Sequence, residues 1–310
     1  MSLLNNKLYN NLHRFSHQAM NTIFEIVIAG EDKGYAGQAA AAAFQEIDRL
    51  EEELSRFLPN SEVTRINNLK KNQSLKINID VFELLTIANN IYNITGGIFD
   101  ITAGRIIDQW KTKNKNVGLN PLNEKVGMDK ILFDDKYYTL TVLSDNISLD
   151  LGGIGKGFAI DKASDLLREW EIENAVVHSG STVKAIGHLE NNNGWPVTIS
   201  NPGNPEQTIA EVLLKDSSLS GSGKHKGEHI VNPLTSLPVN KRAGAWSLTK
   251  SATVSDAMST TFMIMPVEQI EQFCKIHNHI AGLIIQNSLQ QITDKELFFT
   301  GNFVLDNYFI

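Results

Sequence analysis

A single cysteine, Cys274, occurs in the 310 residues. One thiol excludes an intramolecular disulfide framework and any zinc or iron–sulfur site built on cysteine thiolates, and it leaves the redox compartment open. No segment approaches the length of uninterrupted apolar sequence that a membrane-spanning helix needs. The opening residues, Met-Ser-Leu-Leu-Asn-Asn-Lys-Leu-Tyr-Asn, lack an apolar signal core and a lipid-acceptor cysteine. As written, the protein is expected in the cytoplasm; had a signal peptide been removed, it would be an exported protein of the periplasm or cell envelope. Positive charge is also scarce. With 28 Lys plus Arg against 35 Asp plus Glu the net charge is -7, and without a basic stripe no nucleic-acid partner is expected. Hydrophobic residues at 42% and charged residues at 20% exclude extended disorder, and the length suits one large domain or two moderate ones.

What is present alternates between the two periods of regular structure. Phe24, Ile26 and Ile28 predict a strand over 23–29 before the turn Gly30-Glu31-Asp32, and an Ala- and Glu-rich helix should follow over 37–54, ending at Pro59-Asn60. Val81, Leu84, Leu85, Ala88 and Ile91 predict a second helix over 79–94, stopped by Gly96-Gly97. Residues 111–135 read as a connection. The segments 137–143 and 147–151 read as a hairpin about Ser144, Asp145 and Asn146. A Gly-rich turn then opens a helix to about Trp170, short strands pass through Val177, Val197, Val212 and Ile230, and a last helix starts near Asp256. Ala281 to Ile285 and Phe298 to Leu305 supply closing strands. With no repeat and no clear linker, the chain is expected to form one compact α+β unit, single or bilobed.

Familiar phosphate-binding motifs fail. Gly155-Lys156 and Gly223-Lys224 have Asp150 and Ser218 where a P-loop requires glycine, and Gly157 and His225 where it requires Ser or Thr. A dinucleotide fingerprint fails at Phe158, where its third glycine belongs. What survives is a glycine turn into a helix N-terminus beside Lys156, a setting that suits phosphate or diphosphate or, more plainly, a tight strand-to-helix connection. The pairs His13/His17 and His225/His229 have chelating spacing but no helical surroundings, which argues against zinc. Asp256 and Thr260 share a helix face one turn apart and could present hard oxygen ligands to Mg²⁺; otherwise Asp256 caps the helix and Thr260 is a neutral filler.

Several motifs in order then identify a resemblance. Ala19-Met20-Asn21-Thr22, Leu54-Ser55-Arg56-Phe57 with Ser61-Glu62-Val63 and Asn67, and Gly97-Ile98-Phe99-Asp100-Ile101-Thr102 are similar to the first half of the ApbE family, the FAD:protein FMN transferases. Asp150-Leu151-Gly152-Gly153-Ile154-Gly155-Lys156-Gly157-Phe158-Ala159-Ile160-Asp161, Ser220-Gly221, His229-Ile230 with Pro233 and Thr235, and Asp256-Ala257-Met258-Ser259-Thr260 resemble its second half. The resemblance implies an ApbE-like, T-fold-like α+β domain over 15–310, with mixed or antiparallel sheets and packed helices, after an N-terminal extension over 1–14.

It also implies an enzyme that uses Mg²⁺, takes FAD as substrate, transfers its FMN half to a Ser or Thr hydroxyl of an acceptor flavoprotein and releases AMP. By the same resemblance Asp256, Thr260 and the carbonyl of Gly155 would hold the metal. His229 and Asp256 would be catalytic, either one able to take the acceptor's proton. Met20, Thr22, Phe57, Asp100, Gly153, Lys156, Asp161, Ser220 and Gly221 would contact FAD, with Phe57 in place of a flavin-stacking Tyr and core packing as its plainer role. Departures occur at Asn21, at Gly180-Ser181-Thr182 and at Ser236, where the family carries glycine or an acidic or amide residue. The alternatives are an FAD pyrophosphatase giving FMN and AMP, and a flavin-binding protein without turnover.

Overall fold

A computed structural model describes residues 11–111, 126–145, 147–189, 192–223, 230–239, 242–286, 297–303 and 307–308. These fall into two compact units, one drawn from residues 1–49, 156–225 and 241–310 and the other from 50–155 and 226–240.

The first unit is built on an eight-stranded antiparallel sheet. Its order is β1 (Leu12–Ala19), β2 (Thr22–Ala29), β6 (Ala175–Ser179), β7 (Thr182–Ile186), β10 (Ser218–Gly223), β13 (Arg242–Thr249), β14 (Ala281–Gln286) and β15 (Leu297–Thr300). A three-stranded sheet adds β8 (Trp195–Asn201), β9 (Asn204–Leu214) and β16 (Asn307–Tyr308). Helices α6 (Ala252–Ile264) and α7 (Val267–Ile276) belong here, with most of α1 (Lys33–Leu54) and α5 (Gly155–Glu169). Side-chain alternation divides the large sheet into two faces. Val183, Leu219, Trp246 and Leu283 point one way and pack with Trp195, Val197, Ile199 and Ile209 of the smaller sheet. Each fully buried aliphatic of this set contributes about 1.5–3 kcal/mol. The opposite parity sends Thr182, Lys184, Ser220 and Ser247 to the face on which α6 packs.

The second unit holds α2 (Glu62–Asn67), β3 (Ser74–Lys76), α3 (Ile79–Ile94), α4 (Gly104–Lys111), β4 (Ile131–Asp134), β5 (Thr139–Val142) and the short pair β11 (Val231–Asn232) and β12 (Leu237–Pro238). Its three-stranded sheet runs β3-β5-β4, all antiparallel.

The expected helix over 79–94 is α3. Asn78 caps it by accepting the Asp80 N–H, and Gly96 and Gly97 end it at positive φ. The strand expected over 23–29 is β2. The helix expected from Gly37 begins at Lys33, because the Asp32 carboxylate accepts the N–H groups of Gly34 and Tyr35. Strand β1 takes in Leu12 to Arg14, residues expected in an N-terminal extension. It also carries His13 and His17, bonded to the Glu31 carbonyl and to Asp48.

Two expectations need correction. The hairpin is formed by β4 and β5, not by 137–143 with 147–151, so part of the expected connection is a strand. Ile147, Leu149 and Leu151 alternate and are buried, but the segment is no strand. The side chain of Asn67 bonds both the N–H and the carbonyl of Leu149, and Asp150 N–H donates to Ile101, which replaces a ladder. The helix carrying Asp256 is followed by another, α7. The closing strand expected through Leu305 is described only as β15, since 304–306 lie outside the described residues.

Candidate active site

Asp256 lies one turn into α6 and is 4% exposed. It does not cap the helix. Ser251 does so, its Oγ accepting the Val254 N–H, while Asp161 of α5 accepts the N–H groups of Ala252 and Thr253. Asp256 is turned instead toward the start of α5. Its Oδ2 accepts the Gly157 N–H at 3.1 Å and lies 3.7 Å from Lys156 Nζ. Its Oδ1 is 3.4 Å from Thr182 Oγ1 and 3.5 Å from Ser220 Oγ. A positive helix end, an ammonium group and two hydroxyls therefore surround one buried carboxylate.

Gly157 makes this possible. A Cβ there would stand 2.3 Å from the Ala252 carbonyl oxygen and 2.8 Å from Asp256 Cβ, so any side chain would force α5 and α6 apart. The residue that spoils the P-loop pattern is a point of close helix approach. Its sequence signal, a third glycine after Gly153 and Gly155, was present without showing what it would face.

The sheet beneath α6 is lined with hydroxyls. Ser179, Thr182, Ser220 and Ser247 are successive cross-strand partners on β6, β7, β10 and β13, and all four are buried. Thr182 and Ser220 are 2.8 Å apart. Ser259 donates to the Asp256 carbonyl at 2.9 Å and is 2.8 Å from Ser222. Thr260 donates to the same carbonyl at 3.4 Å, with Ser222 Oγ at 3.3 Å from its Oγ1. Ser222 was not singled out from the sequence, and Thr182 and Ser259 appeared there only within longer motifs and without a role, because their proximity comes from strand register and not from any local motif.

Lys156, Ser220, Asp256 and Thr260 are thus brought together in the first unit. Gly221 turns toward the other face, where an added Cβ would meet the Trp246 indole at 2.5 Å. Met20 and Asn21 form the β1–β2 turn at φ 49 and 58, so Asn21 does adopt the left-handed backbone for which glycine is usual. Thr22 follows, and its Oγ1 is 3.9 Å from where a Cβ on Gly180 would lie, beside the β6–β7 turn.

In the second unit, Phe57 is 78% exposed, which rules out the core role. The Arg56 guanidinium lies 5.3 Å from its ring centroid. Arg56 is itself nearly buried and fastened to Asp108 and, at 3.1 Å, to Asp150. Asp150 also accepts the Gly152 N–H at 2.8 Å, so it shapes the turn through Gly153 into Gly155, the first residue of α5. Asp100 accepts both the N–H and the hydroxyl of Thr102. Burial nevertheless pushes its carboxyl up to about 6, with Asp129 adding to the rise. Ser236 stands at φ 58 and its carbonyl accepts the Trp110 indole N–H. His225 and His229 lie outside the described residues.

Among the described residues no three or more His, Cys, Asp and Glu side chains converge as a metal site. The donors around Asp256 are one carboxylate with hydroxyl and carbonyl oxygens, and Lys156 Nζ stands 3.7 Å from that carboxylate. That chemistry fits a hard oxygen-seeking cation and not zinc.

Fold and site together define an antiparallel α+β protein with a buried acid–hydroxyl centre at a helix N-terminus. The ApbE family model matches residues 20–284, and the chain belongs to the ApbE family. Relatives named FAD:protein FMN transferase include that of Buchnera aphidicola subsp. Schizaphis graminum, 29% identical over 71% of each chain. That of Haemophilus influenzae is 24% identical over 87% of this chain and 86% of its own. The solved flavin transferase ApbE from Vibrio cholerae superimposes with a TM-score of 0.81 at 21% identity, covering 94% of this chain and 97% of that one. The Pseudomonas stutzeri flavinyl transferase ApbE gives 0.82 at 19% identity and 96% of both chains. At these identities the two structures establish the shared fold.

Proposed function

We propose that this chain is an FAD:protein FMN transferase that uses Mg²⁺, joins the FMN half of FAD to a Ser or Thr hydroxyl of an acceptor protein, and releases AMP. The observation that carries the reading is the buried Asp256 carboxylate, set against the N-terminus of α5 and Lys156. Its relatives' shared name supports the same activity.

Asp256 and Thr260 would hold the metal. When bound, Mg²⁺ would neutralise charge that builds on the diphosphate oxygens. Lys156 adds fixed positive charge at the same place, supported by the helix end. In the transfer, the acceptor's hydroxyl oxygen bonds to the FMN phosphorus while the bond from that phosphorus to the bridging oxygen breaks. AMP departs with the bridging oxygen and its electron pair. The hydroxyl proton passes to His229 or Asp256 as general base. Phe57 offers an open aromatic face on which the flavin or adenine can stack. Met20, Thr22, Asp100 and Gly153 would line the rest of the FAD site. Ser220, being fully buried, would serve it through Asp256.

The test is incubation of the pure protein with FAD and Mg²⁺, with and without a candidate acceptor, following AMP by chromatography and flavin fluorescence on the acceptor. Acceptor-dependent AMP release and a flavin-labelled acceptor are expected, and EDTA should stop both. AMP and free FMN in equal yield without an acceptor would point to a pyrophosphatase. Full activity after exhaustive chelation would remove the metal from the reading.

A further inference from the structure

Asp161 sits one helical turn after Gly157 on α5, and its carboxylate is saturated by donors. Lys184 Nζ is 2.6 Å from Oδ1, and the Ala252 N–H bonds the same oxygen at 2.9 Å. Oδ2 receives the hydroxyl of Ser251 at 2.7 Å, the N–H of Thr253 at 2.9 Å and its hydroxyl at 2.6 Å. Lys184 is buried on β7, between strands β6 and β10, with its ammonium group directed at Asp161. One carboxylate therefore ties together α5, the first turn of α6 and the central sheet. Asp256 is four residues beyond Ala252, and its own bond to Gly157 lies one turn before Asp161 on α5. The distance between α5 and the Asp256 side chain is fixed at these two points.

Burial alone would raise the Asp161 carboxyl, but the Lys184 ammonium and the Thr253 hydrogen bonds outweigh it and hold it below the ordinary carboxylate value. It stays ionised as a helix anchor.

Resting on the transferase reading, we propose that Asp161, held by Lys184, is a positioning residue that sets Asp256 against the start of α5 and itself touches neither FAD nor the metal. A group with every strong acceptor direction already used by protein donors is poorly placed to bind a diphosphate, which is itself an acceptor. Its effect reaches the reaction through the orientation of α6.

The experiment compares wild type with Asp161→Ala/Lys184→Met, which leaves no unpaired buried charge. Three quantities are read: FAD affinity without metal, Mn²⁺ affinity in the presence of FAD by electron paramagnetic resonance, and kcat and KM for AMP release. FAD affinity and KM should stay within twofold, Mn²⁺ should bind at least tenfold more weakly, and kcat should fall at least tenfold. Amide exchange at Ala252 and Thr253 should also quicken. If that variant does not fold, Asp161→Asn/Lys184→Met, which keeps the volume and one acceptor oxygen, should weaken Mn²⁺ at least threefold. A folded variant with wild-type Mn²⁺ affinity and kcat overturns the proposal, as does one that loses metal-free FAD affinity while binding Mn²⁺ normally. Wild-type protein that binds Mn²⁺ but releases no AMP would refute the transferase reading alone, because the Mn²⁺ and exchange readouts still report on α6.

Discussion

Replacing Asp256 by Asn removes one charge and almost nothing else. The amide oxygen can still accept the Gly157 N–H, and the hydroxyls of Thr182 and Ser220 can rotate to suit. The lost attraction to Lys156 at 3.7 Å is about 4 kcal/mol in gross terms at an effective dielectric near 20. Asn escapes the desolvation cost of the buried carboxylate, and Lys156, with 22% of its side chain exposed, regains hydration, so the net loss of folding stability should be about 1–3 kcal/mol. Helix capping is untouched, since Ser251 and Asp161 perform it. Turnover is another matter. Without its carboxylate the proposed metal site keeps only neutral oxygens, and AMP release at saturating FAD and Mg²⁺ should drop at least about 100-fold, or about 2.7 kcal/mol of transition-state stabilisation. Melting temperature, metal-free FAD affinity and chromatographic AMP release on this one variant separate the effects. AMP release within a few fold of wild type, in a folded protein, would refute the role of Asp256.

Gly157→Ala should be costly for its size, because the nearest atom is a backbone carbonyl that cannot rotate away; calorimetry should show a loss of about 1–3 kcal/mol together with weaker metal binding. Asp100 has a folded-state value of about 6 against an ordinary 3.8, so the folded protein holds its proton longer than the unfolded chain does. Its contribution to stability is complete below pH 4 and is lost as pH rises through about 6, a decline of roughly 2–3 kcal/mol. Asp100→Asn keeps the acceptor for Thr102 and should flatten that part of the profile in denaturant titrations, whereas an unchanged slope between pH 4 and 6 would locate the titration elsewhere.

Local pattern carried the elements whose hydrogen bonds are local. Helix α3 was legible because its apolar spacing, its Asn78 cap and its glycine stop all lie within one stretch of chain. The false hairpin shows the limit. Ile147, Leu149 and Leu151 have a strand's alternation, but the backbone of Leu149 in their middle is bonded by the side chain of Asn67, distant in sequence. The same limit applies at the site. The order of motifs pointed to Asp256, Thr260 and Lys156, and it placed Asn21 where a left-handed residue is needed. Nothing near Asp161 indicates that its oxygens are committed to residues 251–253 and to Lys184. The core reading of Phe57 fell only with its exposure, which local sequence does not encode.

The row of hydroxyls across β6, β7, β10 and β13 has a bearing on how the protein folds correctly. Each member is paired directly with the next, and each is flanked along its own strand by residues of the opposite face. A slip of β10 by one residue would bring Leu219 or Gly221 to the position of Ser220. It would also drive the serine hydroxyl into the apolar layer formed with Val197 and Ile199. A mispaired sheet would then break the 2.8 Å contact between the Thr182 and Ser220 hydroxyls and leave Asp256 facing hydrocarbon, at a cost of about 1–3 kcal/mol per group so unsatisfied. The hydroxyls that surround Asp256 thus also check the alignment of the strands that carry them. Molecules that fold with the wrong register forfeit stability and activity in the same step.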